Sequence, residues 1–385
     1  MPEDQADNKR TKRYFISDIH LTDDNSHKKT AKSYPYSWIG KTRIKMLADF
    51  VNGLAADPTT KDVVILGDLF DRWVCPANVA PAEFGSIMGA QANKAVMAAF
   101  RNVASSGAKL FYVYGNHDMT LDKAELIDAI QGIQVLGDGK NLGLYHCGLL
   151  AAEHGHKYCL FNAPDTKLVS SYLPSGQTIT RIVTQNVANT GKGDNQFGDM
   201  IAVIKEALEH MGDPLVETVL VGLAHKYGWD ENMVIQMSDS PVKLGQMVEL
   251  YKDDYDRWSQ AGSGVNAFTA VLDDMGTYGG NLHKAAEDIY FAKDHAKIVI
   301  FGHTHAYELH TDPWDATAID ENGIPDLAEC NSIYANCGSW VDGCKKATWV
   351  ETEKDRDGDK HHVRLRWYHE DGTKSTIRTN HIALS

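Results

Sequence analysis

Residues Asp62 to Arg72 read DVVILGDLFDR: a run of aliphatic and β-branched residues, then a glycine, then two aspartates three positions apart. Such a run is short for a helix and too apolar for a half-exposed strand. It therefore reads as a strand buried on both faces, with the polar cluster placed where the chain leaves the sheet. The same grammar recurs twice: Arg13 to Ser17 (RYFIS) runs into Asp18-Ile-His20, and Lys109 to Tyr114 (KLFYVY) runs into Gly115-Asn116-His117-Asp118. Between these runs, Thr42 to Ala55 and Ala82 to Ser105 carry apolar residues at three- and four-residue spacing. The order β-α-β-α-β predicts a parallel sheet with helices against it.

Working outward, a third helix is predicted near Lys123 to Ile130, followed by paired strands at Leu142 to His146 and Leu149 to Glu153. Strands return at Lys297 to Phe301, Ser332 to Ala335, Ala347 to Thr352 and His362 to Trp367, with Asp355 to Lys360 as a charged hairpin tip. Two more polar clusters follow strands of this set, His154-Gly155-His156 and Gly302-His303-Thr304-His305. The expected fold is α/β, a two-sheet α/β/β/α sandwich formed by 1–156 and 297–385.

The middle of the chain changes character. Val183 to Asn189, Met200 to His210, Val216 to Tyr227, Leu244 to Trp258 and Leu282 to Ala292 all show helical spacing, with almost no strand signal. The segment 157–296 is expected to be a helical insertion that caps the sandwich, with a glycine-rich turn at Asn189 to Gly198. Inserts of this size usually serve as lids or substrate platforms.

Composition narrows the field. The chain has 385 residues, 43% of them hydrophobic, and a formal net charge of −14. That charge counts against long nucleic acids and anionic lipid surfaces, so an anionic substrate must be drawn in by a local positive charge such as a bound metal. The sequence has no apolar run of membrane-spanning length, and its first residues are polar, so a cytoplasmic address is expected. Oligomeric state is not legible. Six cysteines are too sparse for a disulfide framework. Cys330, Cys337 and Cys344 recur every seven residues, yet without a CxxC pair they read as reduced thiols.

The five polar clusters offer carboxylates, imidazoles and an amide but no thiolate. That donor set suits two divalent ions such as Mn²⁺, with Fe or Zn as alternatives. The glycines are expected where a Cβ would obstruct the chain as it bends toward the ions. Arg72 either contacts substrate or pairs with a surface carboxylate, Asp118 reads as an acid supporting the site, and Trp73 either lines or underlies the pocket. Asn336-Cys337-Gly338-Ser339-Trp340 reads as a turn closing the sheet. In the insertion, Arg181 and Lys192 are the candidate cations for substrate.

The ordered set DxH, GDxxD, GNHD, H and GHxH resembles the calcineurin-like metallophosphoesterase superfamily. The resemblance implies that Asp18, His20 and His305 hold one metal, that Asn116, His154 and His303 hold the other, and that Asp68 bridges them. A hydroxide between the metals would then attack phosphorus. His117 would protonate the leaving group or stabilise the phosphate, Asp71 would orient His117, and Arg72 would sit where a phosphate contact is made. His156 is treated as a neighbour of His154. GDLFDRW with a following helical insert is also similar to the UDP-2,3-diacylglucosamine hydrolases. Those enzymes usually carry Arg at the position of His117 and HGD where this chain has His154-Gly155-His156. The expected activity is hydrolysis of a small-molecule phosphodiester or pyrophosphate-type ester. The alternatives are a phosphomonoesterase, a nuclease on short oligonucleotides, and a binding scaffold without catalysis.

Overall fold

A computed structural model describes residues 9–138, 142–159, 161–164, 174–192, 215–238, 240–251, 280–312, 331–355 and 357–384. The first half of the chain runs β1 (Lys12–Ile16), α1 (Lys41–Ala56), β2 (Thr60–Leu66), α2 (Phe84–Gly89), α3 (Lys94–Ser105), β3 (Lys109–Val113), α4 (Lys123–Ala129), β4 (Ile133–Leu136), β5 (Tyr145–Cys147) and β6 (Leu150–Ala152). The middle holds α5 (Ser175–Thr190), α6 (Leu215–Lys226), a two-stranded ribbon of β7 (Val234–Gln236) and β8 (Pro241–Lys243), α7 (Leu244–Tyr251) and α8 (Gly280–Ala285). The chain then returns through β9 (Ile298–Phe301), β10 (Tyr307–Asp312), β11 (Ser332–Cys337), β12 (Ala347–Lys354), β13 (Lys360–Tyr368) and β14 (Lys374–Ala383).

Two sheets form the sandwich. One has the order β14-β13-β12-β1-β2-β3-β4 and the other β10-β11-β9-β6-β5. Strands β1 to β4 are mutually parallel, as are β6, β9 and β11. Parallel strands put all their C-terminal ends on one edge, where the connecting loops gather. Period-2 alternation divides the strand side chains between two layers. Phe15, Val64, Leu66 and Val113 face Leu150, Ile298, Ile300 and Ile333 between the sheets. Tyr14, Ile16, Val63 and Ile65 face the other way, onto Leu47, Phe50, Phe100 and Val103 of α1 and α3. On the outer side of the second sheet, Val299, Phe301 and Tyr334 are covered by Leu282, Ala285, Ala286 and Tyr290. The α/β/β/α layering is as expected.

Several details depart from the sequence reading. The helix expected over Ala82 to Ser105 is two helices, because Asp24 accepts the N–H groups of Gln91 and Ala92, and Asn93 donates to Ile87 O and Thr22 O. Strands β4, β10 and β14 were not anticipated, nor was the β7–β8 ribbon in the helical middle. The helix expected over Met200 to His210, Cys330 and most of the turn expected over Asn189 to Gly198 lie outside the described residues. The five described cysteines are free thiols. Helices α5, α6 and α7 share an apolar cluster of Ile179, Ile182, Val183, Val219, Leu223, Met247 and Val248, which Ala77 of the sandwich enters.

Candidate metal centre

The candidate ligands sit two to four residues past the ends of parallel strands, and five of the seven are in a backbone conformation that side chains usually avoid. Among the described residues the non-glycine positions with positive φ are Asp18 (52°), His20 (57°), Asp68 (51°), His303 (72°), His305 (57°) and His295 (55°). Five of the six are candidate ligands, and each left-handed residue costs about 1–2 kcal/mol. Strain of this kind persists only where the surroundings hold it, and it gathers at functional sites.

What holds it is a lattice of loop contacts. The N–H groups of Ile19 and His20 donate to Asp68 O at 2.9 Å, joining the first loop to the second. Asp118 accepts from Gly115 N at 2.8 Å and from Leu69 N at 2.8 Å, which ties the second loop to the third. Asn336 Nδ2 donates to Gly302 O at 2.7 Å, while Ser339 Oγ and Trp340 N donate to Asp18 O at 2.8 and 3.1 Å. The Asn336–Trp340 turn thus closes the sheet and clamps two motifs as well. A Cβ on Gly67 would lie 2.6 Å from Gly115 Cα and 2.8 Å from the His154 ring. The glycines are required by this close approach, as the sequence suggested.

The side chains converge. His20 Nδ1 donates to Asp71 Oδ2 at 2.7 Å, and His154 Nδ1 donates to Leu66 O at 2.7 Å. A carboxylate and a carbonyl only accept, so in each neutral ring the lone pair is left on Nε2, facing the centre. His20 Nε2 lies 3.1 Å from His305 Nε2, and His305 Nε2 lies 3.4 Å from Asp18 Oδ1. Donor atoms bound to one ion at about 2.1 Å are separated by about 3.0–3.4 Å, so this spacing fits a common ion. Asp18 Oδ1 is buried without a hydrogen-bond partner. Its other oxygen accepts from Ser17 Oγ and from His303 N.

A second set of donors lies beside the first. His154 Nε2 is 3.1 Å from Asn116 Oδ1 and 3.3 Å from Asp68 Oδ2. Asp68 Oδ2 is also 3.7 Å from His20 Nε2, so this one oxygen faces both donor sets. His303 belongs to none of the convergent carboxylate–imidazole triads among the described residues. Its ring packs edge-on against His154, with centroids 5.2 Å apart.

Electrostatics follows from burial and from three aspartates among imidazoles. Burial favours neutral His154, but the neighbouring Asp68 carboxylate overrides it and pushes the group up to about 9. An incoming ion must displace that proton. Burial works in the other direction on His305, which is pushed down to about 3 and presents a neutral ring. Burial would raise Asp68 and Asp71, yet the adjacent histidines hold both carboxyls low. Burial and the charge of Asp68 push Asp118 up to about 6.

His117 stands beside the donors in a fixed orientation. Its Nδ1 is 2.9 Å from Asp71 Oδ1, its backbone N–H donates to Asp68 Oδ1 at 2.9 Å, and Trp73 stacks on it with centroids 4.3 Å apart. Trp73 is buried, so it underlies the site and does not line a mouth. Asp71 also accepts the N–H groups of Trp73 and Val74, both at 2.8 Å, and therefore steadies His20 and His117 together.

Two residues of the site, Trp38 and Asn162, had no sequence signal beyond residue type, whereas His156 was read as a neighbour of His154. Trp38 packs against His20, His117 and His305 with centroids 4.9, 5.5 and 6.0 Å away. Asn162 Oδ1 accepts from Asn116 Nδ2 at 3.0 Å and turns Asn116 Oδ1 toward His154. His156 is buried beside His154, with neither ring nitrogen hydrogen-bonded.

Three expected substrate contacts are placed elsewhere. Arg72 donates to Ala82 O at 2.8 Å and to Glu83 and Ser238 at 3.1 Å, so it pairs with a carboxylate. Arg181 is completely buried and donates to Pro76 O, Ala77 O and Val79 O. Lys192 is exposed just past the C-terminal end of α5. That 16-residue helix is about 24 Å long, and Lys192 lies at the end remote from Asn162.

Ions that bind this folded arrangement and not the unfolded chain stabilise it, by about 2.7 kcal/mol per site when free metal is a hundred times Kd. A chelated sample is therefore expected to melt several degrees below a Mn²⁺-loaded one. Coincident melting curves would show that the centre is not a metal site.

A family model described as calcineurin-like phosphoesterase matches residues 11–307. A UDP-2,3-diacylglucosamine hydrolase of Neisseria meningitidis serogroup C / serotype 2a is 30% identical over 146 residues, 38% of this chain and 49% of the relative. The enzyme of the same description from Haemophilus influenzae (strain PittGG) is 27% identical over 147 residues, 38% of this chain and 49% of its own. The chain spans about half the length of the curated relatives it matches. Among solved structures, Chaetomium thermophilum Vps29 aligns over 97% of this chain and 98% of its own, at 8% identity and a TM-score of 0.31.

Proposed function

Because the chain belongs to the calcineurin-like phosphoesterase family, we propose that it hydrolyses a small-molecule phosphodiester or pyrophosphate-type ester at a centre of two divalent ions, with Mn²⁺ the first choice. The observation that carries this reading is the place of Asp68 Oδ2, which faces His20 on one side and His154 on the other. Asp18, His20 and His305 would hold one ion, and Asn116 and His154 the other. His303 would join the second set by a turn of its ring. Bound there, two ions lower the pKa of a water and withdraw charge from the phosphoryl oxygens.

The chain's own residues do the rest. Asp71 holds the His117 ring so that the opposite nitrogen meets the departing oxygen with a proton. Trp73 stacks on one face of that ring and excludes water from it. The test is turnover of p-nitrophenyl phosphate, bis-p-nitrophenyl phosphate and a UDP-sugar with Mn²⁺, against a chelated control. Faster turnover of the monoester than of both larger esters would replace this reading with a phosphomonoesterase.

We divide the chain into a sandwich, 1–156 and 297–385, and an insertion, 157–296. Helix α8 and the π-helical turn Ala286–Phe291 that continues it lie on the outer face of the second sheet, while α5 to α7 keep their own apolar cluster. That cluster grips the loop following Asp71 and Trp73. Arg181 holds its carbonyls, Gln185 Oε1 accepts from Asn78 N at 3.0 Å, and Gln236 N donates to Ala77 O at 2.7 Å. Arg181→Met should loosen the support of His117 and lower kcat by about 10- to 100-fold, since a displacement of about 1 Å is enough for such a loss. Simple and large esters should suffer alike, with metal content unchanged. A deficit confined to large diesters would show Arg181 reading the substrate after all.

A further inference from the structure

The N-terminal end of α5 reaches the metal centre through a short relay. A Cβ on Gly176 would lie 2.6 Å from Asn162 Oδ1, which accepts from Asn116 Nδ2 at 3.0 Å, and Asn116 Oδ1 in turn faces His154 Nε2 at 3.1 Å. Only a glycine allows the helix so near. The helix has 16 residues, no side-chain cap and no acidic residue in its first turn, so its positive end is not neutralised from within.

Its first-turn side chains hold unspent polar groups. Ser175, Gln177 and Thr178 are 1%, 2% and 0% exposed, and Ser175 Oγ, Gln177 Oε1 and Thr178 Oγ1 have no hydrogen-bond partner. Native proteins rarely leave buried polar atoms unpaired without a reason. Ser175 and Thr178 are three apart and share a face of the helix, so their hydroxyls can donate to one acceptor. A half-turn of the Gln177 amide would add its NH₂. The backbone is less generous, since Gly176 N is spent on Phe161 O at 2.7 Å and Gln177 N on Pro174 O at 2.9 Å. Hydroxyl donors at the positive end of a helix suit an oxyanion.

We propose that this end of α5 is an oxyanion subsite that takes the second phosphoryl group of a diphosphate diester while the first lies at the metal centre. The assignment rests on the phosphoesterase reading above and names the group that reading leaves open. In the reaction, water oxygen adds to the first phosphorus and the bond from that phosphorus to the bridging oxygen breaks. The second phosphoryl leaves with that oxygen, which takes a proton from His117, as a phosphate monoester still held by the helix. One proton of the water passes to solvent, from which His117 is reprotonated, and the other stays on the phosphate monoester formed at the first phosphorus.

The experiment measures kcat/KM of the Mn²⁺-loaded full chain for P1,P2-di-(p-nitrophenyl) diphosphate and for bis-p-nitrophenyl phosphate. Wild type is compared with Ser175→Ala/Thr178→Val and with Thr178→Ser, and melting curves and metal content are recorded for each. The ratio of diphosphate to monophosphate diester should fall about 10- to 100-fold in the double variant, the worth of hydrogen bonds to a charged group. Thr178→Ser keeps the hydroxyl and should keep the ratio. A ratio unmoved in the double variant, or moved equally by Thr178→Ser, overturns the subsite and leaves the phosphoesterase reading standing. Failure of loaded wild type to hydrolyse either ester overturns both.

Discussion

Asp68→Ala should release at least one of the two ions and lower kcat by about 10³-fold or more, given that removing even an outer partner of a metal ligand costs about 10- to 100-fold. Asp68 is almost fully buried, and its Oδ2 is the atom that faces both His20 and His154. Its other oxygen accepts the N–H of His117. The substitution therefore removes the carboxylate that faces both donor sets, an anchor of the third loop and the anion that raises His154. The last effect can be observed separately. Without Asp68 its upward push on His154 is gone and only Asp18 and the Leu66 carbonyl oppose burial, so the titration of His154 in the metal-free protein should drop from about 9 toward more acidic pH. Elemental analysis after gel filtration decides the main point, since two tightly held ions per chain in Asp68→Ala would refute the bridge.

The sequence made this centre legible because its constraints are local. A ligand just past a buried strand needs an apolar run before it and a glycine nearby, and both leave marks in the sequence. Five clusters bearing those marks located the loops that gather at the strand ends. What was not legible depends on contacts between distant segments. Nothing near Asp71 reveals that it steadies His20 as well as His117, because Asp71 and His20 lie 51 positions apart. Trp38 and Asn162 sit on loops without periodicity.

Arg181 misled for a different reason. Ser175 to Arg181 reads SGQTITR, polar enough to suggest a solvated helix start, whereas nearly the whole of α5 is buried. Periodicity reports which side of a helix is apolar. It does not report that polar residues are buried against backbone carbonyls, which is how Arg181 is satisfied. Edge strands β10 and β14 escaped because pairing on one side and mixed polarity left no apolar run to read.

His117→Asn should lower kcat by about 10²–10⁴-fold, the range for a lost general acid, with two ions still bound. The argument begins with what His117 touches. Asp71 Oδ1 faces its Nδ1 at 2.9 Å, Trp73 stacks on the ring, and the His20 ring stands nearly perpendicular to it at 4.6 Å. A ring fixed on these sides has one nitrogen left to use. His117 also lies near a donor set, since His117, His20 and Asp68 offer ligand atoms within 4.8 Å of one another. Two roles follow from the same geometry, and metal analysis separates them. Loss of an ion in His117→Asn would make His117 a ligand. With both ions kept, the leaving group decides the rest. A proton donor matters most when the departing oxygen is basic, so the deficit should grow from p-nitrophenyl to alkyl esters. An equal deficit across that series would mean that His117 stabilises charge on the phosphoryl oxygens and donates no proton.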